Sequence, residues 1–185
     1  EIALRPYQFC NLTEVNSSSV VDQEDLNARV QAATILGTLQ ASYTDFHYLR
    51  DIWKTTTEKD ALLGVSMTGL ASNRVTNLDI TGTAYMAKEV NKKWANVLGI
   101  NAAARITCVK PSGTASMVCG SSSGIHAWHN DYYIRRIRVG KTEAICGYLA
   151  ENHPELIVED QFNPDGMIIE IPHVYVLRKS KEHNG

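Results

Sequence analysis

Thr107-Cys108-Val109-Lys110-Pro111-Ser112-Gly113-Thr114-Ala115-Ser116, closing into Gly120-Ser121-Ser122-Ser123-Gly124-Ile125, is the stretch from which the fold of this 185-residue chain is read. It predicts a short strand over 106–109, a Pro/Ser/Gly/Thr turn, a short helical start and a second Gly/Ser turn. Such an arrangement aims free backbone N–H groups and hydroxyls at one point, as a bound phosphate requires. The spacing is not that of a Walker loop, since no G-x-x-x-x-G-K-[ST] occurs. No G-x-G-x-x-G follows a strand either, so the common dinucleotide fingerprint is absent. On local chemistry alone, an ordinary Ser/Gly-rich connection remains the competing reading.

Outward from this loop, helical and strand periods alternate. Asp22, with Asp25 in an acidic first turn, is the expected cap of a long amphipathic helix. That helix carries Leu26, Val30, Ala33, Leu36, Leu39, Tyr43 and Phe46 at three- and four-residue steps. Leu62 to Gly69 is an apolar run broken by glycines, a strand or a helix start. Met86, Ala87, Val90, Trp94, Val97 and Leu98 predict a second helix over 83–98, ended by Gly99. A strand is expected over 133–139, a helix over 142–152 and a strand over 167–171 stopped by Pro172. Helices alternating with short strands imply an α/β fold with at least partly parallel pairing.

Composition narrows the function. The length is that of one ordinary domain, and 44% hydrophobic residues can build a core. A formal net charge of −2 argues against a nucleic-acid-coating surface or a polybasic membrane patch. No apolar run is long enough to span a bilayer. The opening Glu1-Ile2-Ala3-Leu4 has neither an initiator Met nor a signal pattern, so an internal start is expected. The four cysteines, Cys10, Cys108, Cys119 and Cys146, form no C-x-x-C pair, which favours a reducing, cytoplasmic setting over a disulfide framework. Cys108 and Cys146 read as buried structural thiols. His126 and His129 have no third ligand nearby, so no metal site is expected. Tyr133 is expected to pack in its strand, and Arg135, Arg136 and Arg138 to pair with acids on a solvated face.

Taken together and in order, Glu1-Ile2-Ala3-Leu4, Cys10-Asn11-Leu12-Thr13-Glu14-Val15, Gly64-Val65-Ser66-Met67-Thr68-Gly69, the V-K-P-S-G-T-A-S loop, its G-I-H tail and the following Y-x-I-R-R-I-R resemble the large catalytic chain of ribonucleotide reductases. The likeness is strongest to the adenosylcobalamin-dependent (class II) branch and runs from Glu1 to about Val139. Class I chains, which draw their radical from a metal-bearing partner subunit, more often resemble P-S-E-T and G-I-E-P at the loop and its tail. A nucleotide-binding remnant without catalysis is the other alternative.

The resemblance implies a ten-stranded α/β barrel, of which 1–172 would be a partial catalytic domain and 173–185 a divergent C-terminal tail. It implies thiyl-radical reduction of a ribonucleoside di- or triphosphate to the 2′-deoxyribonucleotide. The implied cofactor is adenosylcobalamin, not locatable within this stretch, and the implied reductant is a thioredoxin-like dithiol protein. It makes Glu1 the general base on the 3′-OH, with the radical cysteine just upstream. It makes Cys10 one of two thiols that close into a disulfide once per turnover, the other lying on an upstream strand. It gives Ser112, Gly113, Thr114, Ala115 and Ser116 the substrate phosphates. The isolated chain is expected to be inactive.

Overall fold

The structure is a computed structural model that describes residues 2–174. The chain divides into two compact units, Glu1–Ala127 and Trp128–Gly185.

In the first unit, strand β1 (Asn11–Asn16) leads to helix α1 (Gln23–Ala41), α2 (Asp51–Asp60), β2 (Leu63–Thr68), α3 (Ile80–Leu98) and the short α4 (Ala115–Val118). β1 and β2 pair in parallel, Asn11 opposite Leu63 and Asn16 opposite Thr68. The strand expected over 106–109 is realised as a single parallel bridge between Thr107 and Val65. Three ladder bonds nevertheless carry it: Leu63 N–H to Arg105 O at 3.0 Å, Val65 N–H to Ile106 O at 2.7 Å and Cys108 N–H to Val65 O at 3.0 Å. Beyond Cys108 the chain turns at Pro111, which has no N–H to extend the ladder. The run at 62–69 is thus a strand, the middle one of three parallel segments.

Side chains alternate across such a sheet. Val15, Leu63 and Val65 face the helices and join Leu26, Val30 and Ala33 of α1, Val75, and Ala87 of α3 in one core. Asp22 caps α1 as the sequence predicts, accepting from Asp25 N–H. The helix ends at Ala41, short of the expected Tyr43 and Phe46. Its buried stripe is Leu26, Val30, Ala33, Thr34, Gly37, Thr38 and Ala41, while Leu36 is exposed. Small and threonine side chains on this stripe let α1 lie close to the sheet. The hydroxyls of Thr34 and Thr38 donate back to the Val30 and Thr34 carbonyls, both at 2.7 Å, so neither is left unpaired. α3 begins at Ile80, three residues before the expected start, where Asp79 caps it through Gly82 N–H; Gly99 closes it.

The second unit holds β3 (Tyr132–Gly140), α5 (Ala144–Asn152), β4 (Ile157–Glu159) and β5 (Gly166–Val174), with an antiparallel sheet in the order β3-β5-β4. Pro172 does not stop β5. β4 pairs only as far as Ile169, so at Pro172 one edge of β5 carries no β4 partner and the missing N–H is tolerated. Arg136 pairs with Glu170 at 2.7 Å and Arg138 with Asp160 at 3.0 Å. Tyr133 stacks on His173, ring centres 5.2 Å apart.

The mixed α/β class is therefore present, with parallel pairing in one sheet and antiparallel pairing in the other. The ten-stranded barrel is not visible among the described residues, which carry five strands in two sheets. The tail from Tyr175 onward lies outside the described residues. No helix among the described residues is long and apolar enough to cross a membrane.

Candidate functional site

The alternation that buries Val15 and Val65 places a different set of side chains on the opposite face. By register, Leu12 lies beside Gly64, Glu14 beside Ser66 and Asn16 beside Thr68, with Cys10 two residues before Leu12 on the same face, and Cys108 and Lys110 flank Ser66 on the other side. Gly64 makes the approach possible. A methyl group on its Cα would clash with the Leu12 side chain, lie 2.9 Å from Cys108 Sγ and lie 3.5 Å from Cys10 Sγ. The two thiols thus converge over the one position that has no side chain.

Cys10 is half-buried. Burial, and then the neighbouring Cys108 thiol, push its pKa up to about 11 from the ordinary 9.0. It therefore stays protonated at neutral pH, a donor of hydrogen rather than a ready nucleophile. Cys108 is half-buried as well, not the enclosed structural thiol the sequence suggested, because it faces this open side of the sheet. Cys146, in the second unit, is buried as expected.

Further along the same face the chain builds the loop. Lys110 N–H donates to Ser66 Oγ at 3.2 Å, and Lys110 Nζ meets Glu14 Oε2 at 3.1 Å. Ser123 Oγ donates to Pro111 O at 2.6 Å, tying the second Gly/Ser turn to the first. Thr68, at the end of β2 and fully buried, joins both ends of that second turn. Its hydroxyl donates to Ser122 O at 3.0 Å and accepts from Gly124 N–H at 2.9 Å. Gly124 has a φ of +54° and packs so tightly that a Cβ would sit 2.6 Å from Lys110 O, so no other residue type fits without rearrangement.

The five loop residues divide by exposure. Ser112 is buried in the left-handed region (φ 55°), and its hydroxyl has no hydrogen-bond partner among the described residues. A non-glycine residue held there stores strain, which clusters at ligand-clamping turns. Ser116 is fully buried, its hydroxyl donating to Gly113 O at 3.3 Å and its N–H to Ser112 O at 3.2 Å. Gly113 and Thr114 are exposed and Ala115 is partly so. The N–H groups of these three have no acceptor among the described residues. Ser112 and Ser116 shape the turn, and the three residues between them present its donors. The loop predicted from sequence is thus brought to the same sheet face as Cys10.

Glu1 lies outside the described residues. Sequence reasoning gave Glu14, Gly64 and Thr68 no role of their own and took Cys108 as structural. The signal available for them was the two-residue spacing of 10, 12, 14 and of 64, 66, 68, which puts each set on one face of its strand. No group of three or more His, Cys, Asp or Glu side chains that could hold a metal occurs among the described residues.

No family model matches the chain. It is similar to a probable adenosylcobalamin-dependent ribonucleoside-triphosphate reductase of Dictyostelium discoideum, 29% identical over 187 aligned positions that cover 93% of this chain and 23% of that protein. It is also similar to the adenosylcobalamin-dependent ribonucleoside-triphosphate reductase of Lactobacillus helveticus, 24% identical over 93% of this chain and 27% of that protein. The fold is like that of a crystal structure of a B12-dependent (class II) ribonucleotide reductase, with a TM-score of 0.64 and 21% identity over 92% of this chain and 28% of that one. The chain spans about a quarter of the length of these relatives. Over nearly all of its own length, it is similar to a segment of the catalytic chain of adenosylcobalamin-dependent ribonucleotide reductases.

Proposed function

We propose that this chain is part of a ribonucleotide reductase catalytic chain, supplying the phosphate-binding loop and one reducing thiol of its active site. The observation that carries the reading is the shared sheet face, with Cys10 near the start of β1 and Lys110, at the base of the 112–116 loop, held to Ser66 and Glu14 further along it. The substrate is a ribonucleoside triphosphate, the class named for the relatives. The N–H groups of Gly113, Thr114 and Ala115 and the Thr114 hydroxyl hold its phosphates, with Ser112 and Ser116 fixing the turn. Binding energy spent on the phosphates positions the ribose, remote from them, for reaction.

Cys10 takes part in the reducing half. Two thiols give up two hydrogens, the 2′-hydroxyl leaves as water, and the thiols close into a disulfide that a thioredoxin-like dithiol protein reopens. Cys108 is not the second thiol. It approaches Cys10 across Gly64, but the family resemblance puts the second thiol on a strand upstream of this stretch. The partner of Cys10 belongs elsewhere in the protein. Glu1 is the base on the 3′-OH.

Adenosylcobalamin, named for the relatives, supplies the initiating radical when bound. The face described here fits the reducing and binding ends of the chemistry. Among the described residues it has no donor set assignable to the corrin. The relatives' names favour this branch over a class I chain, and an enzyme over a binding remnant. Residues 1–172 form a partial catalytic barrel domain with 173–185 as a divergent tail, in a cytoplasmic enzyme.

Turnover tests the reading. The protein containing this chain, given CTP, adenosylcobalamin and a dithiol protein, is expected to form dCTP, and Cys10→Ser to cut steady-state turnover by about a hundredfold or more, a cost on the scale of losing an essential reacting group. The 185-residue chain alone is expected to form none. Unchanged turnover in Cys10→Ser would remove the thiol from the mechanism.

A further inference from the structure

Glu14 is an unusual neighbour for an anion site. Its side chain is 8% exposed, on the same sheet face as the loop. Oε2 is paired with Lys110, while Oε1 is buried with no hydrogen-bond partner among the described residues. A buried carboxylate this close to a phosphate-binding turn would oppose an incoming polyanion, because low local dielectric lengthens the reach of its charge.

Lys110 is placed to cancel it. Its backbone is held by Ser66 Oγ on one side and crowded by Gly124 on the other, and the adjoining Pro111 carbonyl is fixed by Ser123. Its ammonium, 21% exposed, lies 3.1 Å from Glu14 Oε2. The open N–H groups begin three residues further on, at Gly113. The lysine therefore sits at the base of the loop, turned toward β1.

We propose that Lys110 is a positioning residue that serves the phosphate loop by neutralising Glu14, the pair clasping the loop to β1, and not by touching the phosphate. The inference rests on the reading of 112–116 as a phosphate site and adds to it the source of its charge balance.

A direct phosphate ligand and a neutraliser behave differently in a double variant. Binding of CTP and of inorganic tripolyphosphate to the full chain is measured by calorimetry for the parent, Lys110→Met, Glu14→Gln and Glu14→Gln/Lys110→Met, with thermal unfolding of each. Lys110→Met, which strands the buried carboxylate, is expected to weaken both ligands by about tenfold or more, the scale of one unscreened charge nearby. Glu14→Gln is expected to bind as tightly as the parent or tighter. The double variant is expected to return to within about threefold of the parent.

A double variant as weak as Lys110→Met would make Lys110 a phosphate ligand and overturn the proposal, leaving the loop's role intact. Should Lys110→Met fail to fold, the double variant decides alone. It loses both charges together, a change that buried pairs commonly tolerate, and its affinity against the parent supports or overturns the proposal by the same threefold criterion. A parent that binds neither CTP nor tripolyphosphate overturns the phosphate reading itself, and the proposal with it.

Discussion

Cys10 shows how a single residue acquires its chemistry from its neighbours. Burial comes first and the Cys108 thiol second, and both hold the proton on. Because the folded value lies above the unfolded one, the folded chain keeps a proton that the unfolded chain sheds as pH rises from 9.0 toward about 11. The contribution is neutral below that window, and stability falls across it. Replacing Cys108 by Ala removes the second cause and leaves the first. The iodoacetamide alkylation profile of Cys10 should then move to lower pH without reaching that of an unhindered thiol. A profile unmoved by Cys108→Ala would show that the two thiols do not sense each other. Gly64 is the silent member of this group. It bears no chemistry of its own, yet its missing side chain leaves the space that both sulfurs border.

At the level of elements, the reading of sequence succeeded where a cap or a period was strong. Asp22 and Gly99 bound their helices because each supplies the group that a helix end lacks. α2 went unseen because Asp51–Asp60 is almost wholly polar and buries only Thr57, leaving no stripe to detect. β4, three residues long, offers too few positions for alternation to register.

The second unit has its own electrostatic anchor, Asp160. The Phe162 N–H, then the Arg138 guanidinium and the Asn163 N–H, hold its carboxyl below the usual carboxylate range, against the opposing effect of burial. A lowered folded value stabilises the fold above the ordinary carboxylate range, and that stability is lost as pH falls through the folded value. Thermal unfolding of the parent should therefore weaken on acidification, and Asp160→Asn should flatten that dependence for the β3-β5-β4 unit. An acid profile identical in the variant would take the anchor out of the account.

For the molecule as a whole, the class was legible and the boundaries were not. Alternating helical and strand periods announced an α/β chain, and one sheet is parallel as that pattern requires. What the periods could not announce is that the pairing turns antiparallel beyond Trp128, since the same alternation of residues serves either direction. The site was half legible. The loop at 112–116 and Cys10 stand out in their motifs, whereas Glu14 and Cys108 become visible only when three strands are laid side by side. Glu1, the expected base, lies outside the described residues.

The central claim is that Cys10 and the phosphate loop serve one ribonucleotide. It is tested most directly by the alkylation rate of Cys10, followed by mass spectrometry, with and without saturating CTP. The account predicts that CTP slows modification of Cys10 by about fivefold or more, by occupying the face above Gly64 and favouring the bound form. A Cys10 that reacts at the same rate with CTP bound would contradict it.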